Sequence, residues 1–107
     1  MVMAFAVLLC SCEKPAEYEG DLGFLSHRHV LGSGSGSTPV VVYSNTSWTV
    51  RPLEKVDWAS IDRFEGSGYS QVRFDYAANY GQDRSVRLEF STQTVKDTVE
   101  IYQEGVL

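Results

Sequence analysis

Three kinds of residue in this 107-residue sequence have the types and spacing for chemistry, and each set is sparse. Cys10 and Cys12 stand one residue apart in "VLLCSCEKP", a spacing that by itself fits a metal or redox pair. His27-x-His29 would put two imidazoles on the same side of an extended strand, which is how a metal site can begin. No third histidine accompanies them, and the cysteines lie in a different stretch of the chain, so no metal is expected. The 14 Asp+Glu residues offer carboxylates, but glycoside hydrolysis needs two of them facing across a cleft about 5–9.5 Å apart. A chain this short has little with which to build a deep cleft. "EGSG" at 65–68 carries a serine without the strand-to-helix context of a nucleophile elbow. The sequence therefore reads as non-enzymatic, with no cofactor.

What surrounds the cysteines says more than their spacing. "MVMAFAVLL" is apolar from Met1 to Leu9 and carries no charged side chain. As a helix it would span about 13 Å, against roughly 30 Å of bilayer hydrocarbon, so it is too short to be a membrane span. It fits the apolar part of a secretory signal. Leu9-Cys10-Ser11-Cys12 resembles the processing box of a bacterial lipoprotein, with small Ser11 before the cut. Cys10 does not fit that role, because bulky Leu9 precedes it. The resemblance implies a signal peptide over residues 1–11 and a lipid attached at Cys12, with acyl chains each contributing about 0.8 kcal/mol per buried methylene. It departs from the usual pattern in lacking a Lys or Arg before the apolar run.

Residues 12–21 read as the lipidated cysteine and an acidic tether. Glu13, Glu17, Glu19 and Asp21 against Lys14 leave a net −3 there, out of −5 for the chain. In Bacteroidetes lipoproteins, acidic stretches after the cysteine favour export to the outer face. The expected location is therefore the outer membrane or cell surface, with the lipid anchor as the membrane contact. No basic cluster exists to neutralise phosphates, so nucleic acid is not an expected partner.

From residue 22 onward alternation replaces helical periodicity. "SVRLEFS" aligns Val86, Leu88 and Phe90 on one face, "QVRFDYA" aligns Val72, Phe74 and Tyr76, and "TVEI" aligns Val99 and Ile101. "PVVVYS" reads as a denser strand opened by Pro39. "SWTV" and "DWASI" are shorter candidates, and "LGFLSH" is a weak first strand. "GSGSGS" at 32–37, "EGSG" at 65–68 and "NYGQD" at 79–83 read as turns or loops. About seven short antiparallel strands with turns every 8–12 residues predict one all-β domain over 22–107, an immunoglobulin-like β-sandwich.

The order "SNTSWTV", "WASI", Gly66 and Gly68, "AAN", Arg84 and "YQEG" resembles the BACON domain, the Bacteroidetes-associated carbohydrate-binding, often N-terminal module. The marks themselves make sense as folding devices: tryptophans that seat a small core, and Gly66, Gly68 and Asn79 at backbone angles closed to most residues. What the resemblance implies is a non-catalytic module that binds a glycan such as mucin. Sugar recognition needs an exposed aromatic plane for the apolar face of a pyranose and planar polar groups for its hydroxyls. Loop residues meet that need best: Tyr69, and Tyr80 with Asn79, Gln82 and Arg84 beside it, with Trp58 as a more buried candidate. The alternative is a structural spacer or accessory subunit contacting another envelope protein. "NTS" at 45–47 matches a glycosylation sequon that the bacterial signal makes a chance match. "DTV" at 97–99 resembles a short bacterial O-glycosylation motif, although Thr98 falls in an expected strand.

Overall fold

The computed structural model describes residues 20–107. The signal peptide, Cys12 and the tether as far as residue 19 lie outside the described residues. Among the described residues there are nine strands: β1 (Gly23–Phe24), β2 (Arg28–Leu31), β3 (Gly36–Tyr43), β4 (Ser47–Pro52), β5 (Ala59–Ile61), β6 (Glu65–Ser67), β7 (Ser70–Tyr76), β8 (Arg84–Ser91) and β9 (Lys96–Gln103). They form a five-stranded sheet ordered β2-β9-β8-β4-β6 and a four-stranded sheet ordered β1-β3-β7-β5. The described residues form an all-β, immunoglobulin-like sandwich.

Alternation builds it. Val86, Leu88 and Phe90 of β8, Val99 and Ile101 of β9, and Trp48 and Val50 of β4 turn inward from one sheet. Val40 and Val42 of β3 and Val72 and Phe74 of β7 meet them from the other. Each such side chain, fully buried, contributes about 1.5–3 kcal/mol. Phe90 sits at the centre of the aromatic packing, 5.7 Å from Trp48 and 4.8 Å from Phe24 between ring centroids.

The structure adds two strands to the expected seven or so and corrects five readings. "LGFLSH" does not form one strand: β1 pairs antiparallel with β3, and after a crossover at residues 25–27 the chain joins the opposite sheet as β2. There it runs parallel to β9, so the sandwich is not wholly antiparallel. "EGSG" is not all turn, because Glu65–Ser67 is β6, an edge strand on β4. Within it Gly66 does not take a left-handed conformation; only Gly68 among the described glycines does, with φ of 66°. Gly66 is glycine for a different reason. A Cβ there would lie 2.3 Å from Cζ2 of its cross-strand partner Trp48. Likewise "GSGSGS" is loop only at its start, since Gly36 and Ser37 already belong to β3.

The crossover leaves half an edge open on each sheet, and both halves are blunted. The Arg73 N–H donates to Asp62 Oδ1 and its C=O accepts from the Asp62 N–H, on the side away from β3. Its β3 partner Pro39 therefore turns its own backbone to the open side, where it has no N–H to offer. On β9, the open-side N–H of Thr98 is taken by Asp97 Oδ1 at 2.8 Å. The other oxygen of that carboxylate lies 2.8 Å from His27 Nε2.

Candidate functional site

The sandwich has an entry pole, where residues 20–22 meet the 44–46, 68–69 and 92–95 turns, and an exit pole, where the last residues meet loops 32–35 and 77–83. Tyr69 and Tyr80 lie at opposite ends of the seven-residue strand β7, about 20 Å apart. They do not belong to one site.

At the exit pole, Asn79, Arg84 and Gln103 form a polar network. Gln103 is fully buried. Its Nε2 donates to the carbonyls of Ala77 (2.9 Å), Gly32 (3.2 Å) and Gly34 (3.4 Å), and its Oε1 accepts from Arg84 Nε at 2.8 Å. Arg84 Nη2 donates to the carbonyls of Ala77 and Ala78, and its guanidinium lies 4.3 Å from the Trp58 ring centroid. Asn79, also buried, donates to the Gln82 carbonyl at 2.7 Å and the Glu104 carbonyl at 3.4 Å, and accepts from the Gly81 N–H. Its own N–H reaches the Ser33 carbonyl. Gly105 closes the pole: a Cβ there would sit 1.9 Å from the Gly81 carbonyl oxygen, so only glycine lets the tail lie against the loop. Asp83 accepts from the Gly105 N–H and from the Tyr102 hydroxyl. The Tyr102 bond first, then the Gly105 bond, hold its carboxyl below the usual aspartate range.

Of the residues singled out in the sequence, Asn79 and Arg84 thus have their polar groups turned onto the protein's own backbone and Gln103. Trp58 is half-buried, with Arg84 over one face and Phe74 at 6.1 Å in an edge-on contact. Tyr80 and Gln82 project outward, Tyr80 at 80% exposure. At the entry pole, exposed Tyr69 leans on Tyr43 with ring centroids 5.3 Å apart. Gln103 and Gly105, which anchor the exit pole, were visible in the sequence only as parts of the "YQEG" mark. Asp83 was visible only as a loop carboxylate.

The two histidines diverge. His27 is exposed and bonded to Asp97, whereas His29 turns inward with its Nε2 buried and unpartnered. Burial lowers the His29 pKa, opposed by a hydrogen bond with the Ser26 backbone. Thr98 of "DTV" sits half-buried within β9.

The sequence matches the BACON family, described as "Putative binding domain, N-terminal", over residues 41–104. This chain belongs to the BACON family. The matched span takes in the whole Trp48, Asn79, Arg84 and Gln103 framework, and leaves β1 and β2 outside it. No curated protein matches the sequence. Among solved structures, the BACON chain is similar to a Bacteroides ovatus GH5 xyloglucanase in complex with a XXXG heptasaccharide, with TM-score 0.70, 12% identity and 79% of this chain covered. It spans 19% of that enzyme's length. It is also similar to a protein from Bacteroides thetaiotaomicron (TM-score 0.57, 12% identity, covering 91% of this chain and 98% of that one). A third neighbour is WR4, a C. elegans MSP family member (TM-score 0.55, 6% identity, 82% and 100%). At these identities the likeness is one of fold.

Proposed function

We propose that this BACON chain is a non-catalytic, lipid-anchored module of the cell surface that binds a glycan through Tyr80 at its exit pole. The observation that carries this reading is a fully presented aromatic ring on a loop that is not free to move. Tyr80 is 80% exposed, while the preceding residue, Asn79, is buried and bonded to three backbone groups around it. A pre-ordered platform loses little entropy when a ligand docks. Gln82 and Glu104, both exposed, stand beside it as hydrogen-bonding groups. The entering chain reaches the opposite pole, where Asn45 N–H bonds the Gly20 carbonyl. A lipid at Cys12 would then hold the entry pole toward the membrane and present Tyr80 away from it.

The test is a broad glycan array probed with the detergent-solubilised full chain. Binding of at least one glycan, lost in Tyr80→Ala, is the expected result; no binding at high micromolar concentration ends the proposal. The anchor is tested separately: Cys12→Ala abolishes fatty-acid labelling and Cys10→Ala leaves it intact.

One feature favours the spacer alternative. Val106 and Leu107 are 60% and 85% exposed, and the Leu107 N–H bonds the Gly81 carbonyl next to Tyr80. That makes a small apolar patch of a kind protein partners cover. Crosslinking from this patch in intact cells that recovers one stoichiometric envelope protein would select the alternative.

A further inference from the structure

The outer face of the five-stranded sheet has two unlike halves. Toward the exit pole its charged groups are paired: Arg51 with Glu89 at 3.0 Å, Arg28 with Glu100 at 2.9 Å, and Arg87 with Glu54. Tyr102 bonds Asp83 and lies under the Arg28 guanidinium, 4.8 Å from ring centroid to Cζ. Toward the entry pole the same face sinks into an open trough of about 760 Å³ across β6, β4 and β8. That is within the roughly 300–1,000 Å³ typical of small-ligand sites. Its rows are set by the ladder, Ser67 opposite Ser47, and Glu65 opposite Thr49 opposite Ser91, with Gln93 at the rim.

The trough exists because the outward side chains of this stretch, Ser47, Thr49, Ser67 and Ser91, are short. It is lined by five hydroxyls, one amide and one carboxylate. Thr92 Oγ1 is turned onto its own loop, where it accepts from the Thr94 and Val95 N–H groups; among the described residues the other six polar side chains have no side-chain partner. Such a collection of unpaired donors and acceptors, on a face whose other half is paired off, suits a ligand that is itself mostly hydroxyl. No aromatic plane lies open in the floor, since Trp48 is only 1% exposed. Recognition there is by hydrogen bonds and charge rather than by stacking. Glu65 is the one charged side chain of the lining, and it faces the trough without a counter-ion. Lys96, the next residue of that ladder row beyond Ser91, stands three strands away, about 14 Å. An anionic sugar is disfavoured at the Glu65 end, and an amine is favoured there.

We infer that this trough binds a short amine-bearing oligosaccharide, its ammonium group on Glu65 and its hydroxyls on Ser47, Thr49, Ser67 and Ser91. The inference rests on the carbohydrate-binding reading and assigns it a second surface, independent of Tyr80.

The experiment titrates the isotope-labelled, detergent-solubilised full chain with a glucosamine tetrasaccharide, followed by backbone amide resonances. Cellotetraose and tetragalacturonate serve as the neutral and anionic comparisons. The glucosamine oligomer is expected to move the amides of Ser47, Thr49, Ser67 and Ser91 while leaving Gly81 and Gln82 in place. Glu65→Gln, on an exposed edge strand, should weaken it about tenfold or more, and Thr49→Val should weaken it without unfolding. Tyr80→Ala should not change it. Shifts confined to the 79–82 loop overturn the trough and leave the exit-pole reading standing. Trough binding that is indifferent to Glu65→Gln, or equal for tetragalacturonate, overturns the assigned chemistry. No shift with any of the three sugars overturns the trough, while the glycan array decides separately on Tyr80.

Discussion

The two poles of this sandwich are closed by different means. At the entry pole the connections are short and hold themselves: buried Ser44 bonds the Thr46 N–H and carbonyl two residues on, and Gly68 supplies the left-handed turn between β6 and β7. Packing and two hydroxyl bonds to the entering chain, Ser44 to the Asp21 carbonyl and Thr94 to the Asp21 carboxylate, do the rest, with the Trp48 ring laid over Gly66 and its Nε1–H reaching the Gly68 carbonyl at 3.4 Å. At the exit pole three segments far apart in sequence are tied by side chains. Gln103 bonds carbonyls 26, 69 and 71 residues away. The difference teaches where rigidity comes from in a small all-β domain. A hairpin turn can be fixed by local backbone chemistry, whereas a seven-residue loop such as 77–83 becomes rigid only when buried polar groups claim its carbonyls.

If that contrast is right, the exit pole should be the more easily broken by single substitutions. Gly105→Ala is expected to be the most damaging, about 3 kcal/mol or more, because the new Cβ meets backbone and nothing flexible can give way. Urea unfolding measures it, and a loss under 1 kcal/mol would mean that the tail is not packed as described. Next, Gln103→Leu takes the acceptor from Arg84 Nε and the side-chain donor from the Gly32 and Gly34 carbonyls, while the Ala77 carbonyl keeps Arg84 Nη2, at about 1–3 kcal/mol. Hydrogen exchange at the Asn79 and Leu107 amides should accelerate in that variant while the Asn45 amide stays protected. At the other pole, Gly66→Ala should lose about 1–2 kcal/mol as the Trp48 ring shifts, with a change in tryptophan emission. Ser44→Ala should cost about 1 kcal/mol. A result in which Gly66→Ala or Ser44→Ala exceeds Gly105→Ala reverses the comparison.

The smallest effect expected is one of pH. His29 has a lowered pKa in the folded state, so below the ordinary imidazole range the unfolded chain takes up a proton that the folded chain refuses. Stability is full above that range and declines as pH falls through it. Comparing urea midpoints near pH 7.5 and near pH 5.5 should show the decline, and His29→Gln should flatten it.

Much of this architecture was legible beforehand, for identifiable reasons. Val86, Leu88, Phe90, Val72, Phe74, Val99 and Ile101 alternate, and alternation has one physical reading, a strand with one face buried. Trp48 and Trp58 were read as core and part-core residues, and they are. The parallel partnership of β2 and β9 was not legible, because no local pattern distinguishes a strand that stays in its sheet from one that crosses over. Gly66 was misassigned for a related reason: a sequence shows that a glycine is present, but not whether backbone angle or a neighbouring ring requires it. At the candidate site, exposure of the loop tyrosines followed from their surroundings. The inward turn of Asn79 and Arg84 did not, since polar residues in loops carry no mark of which way they face. The hydroxyl trough was least visible of all. Serines and threonines from three strands assemble it only once the ladder register is known.

The blunted half-edges at Pro39 and Asp97 bear on how copies of this chain behave when crowded together. A sandwich with an open strand edge offers neighbours a template, and chains at high local density then knit into continuous sheets. Here one half-edge lacks a donor at its midpoint and the other has its donor already occupied. At these two half-edges a neighbouring copy therefore finds no ready ladder to extend.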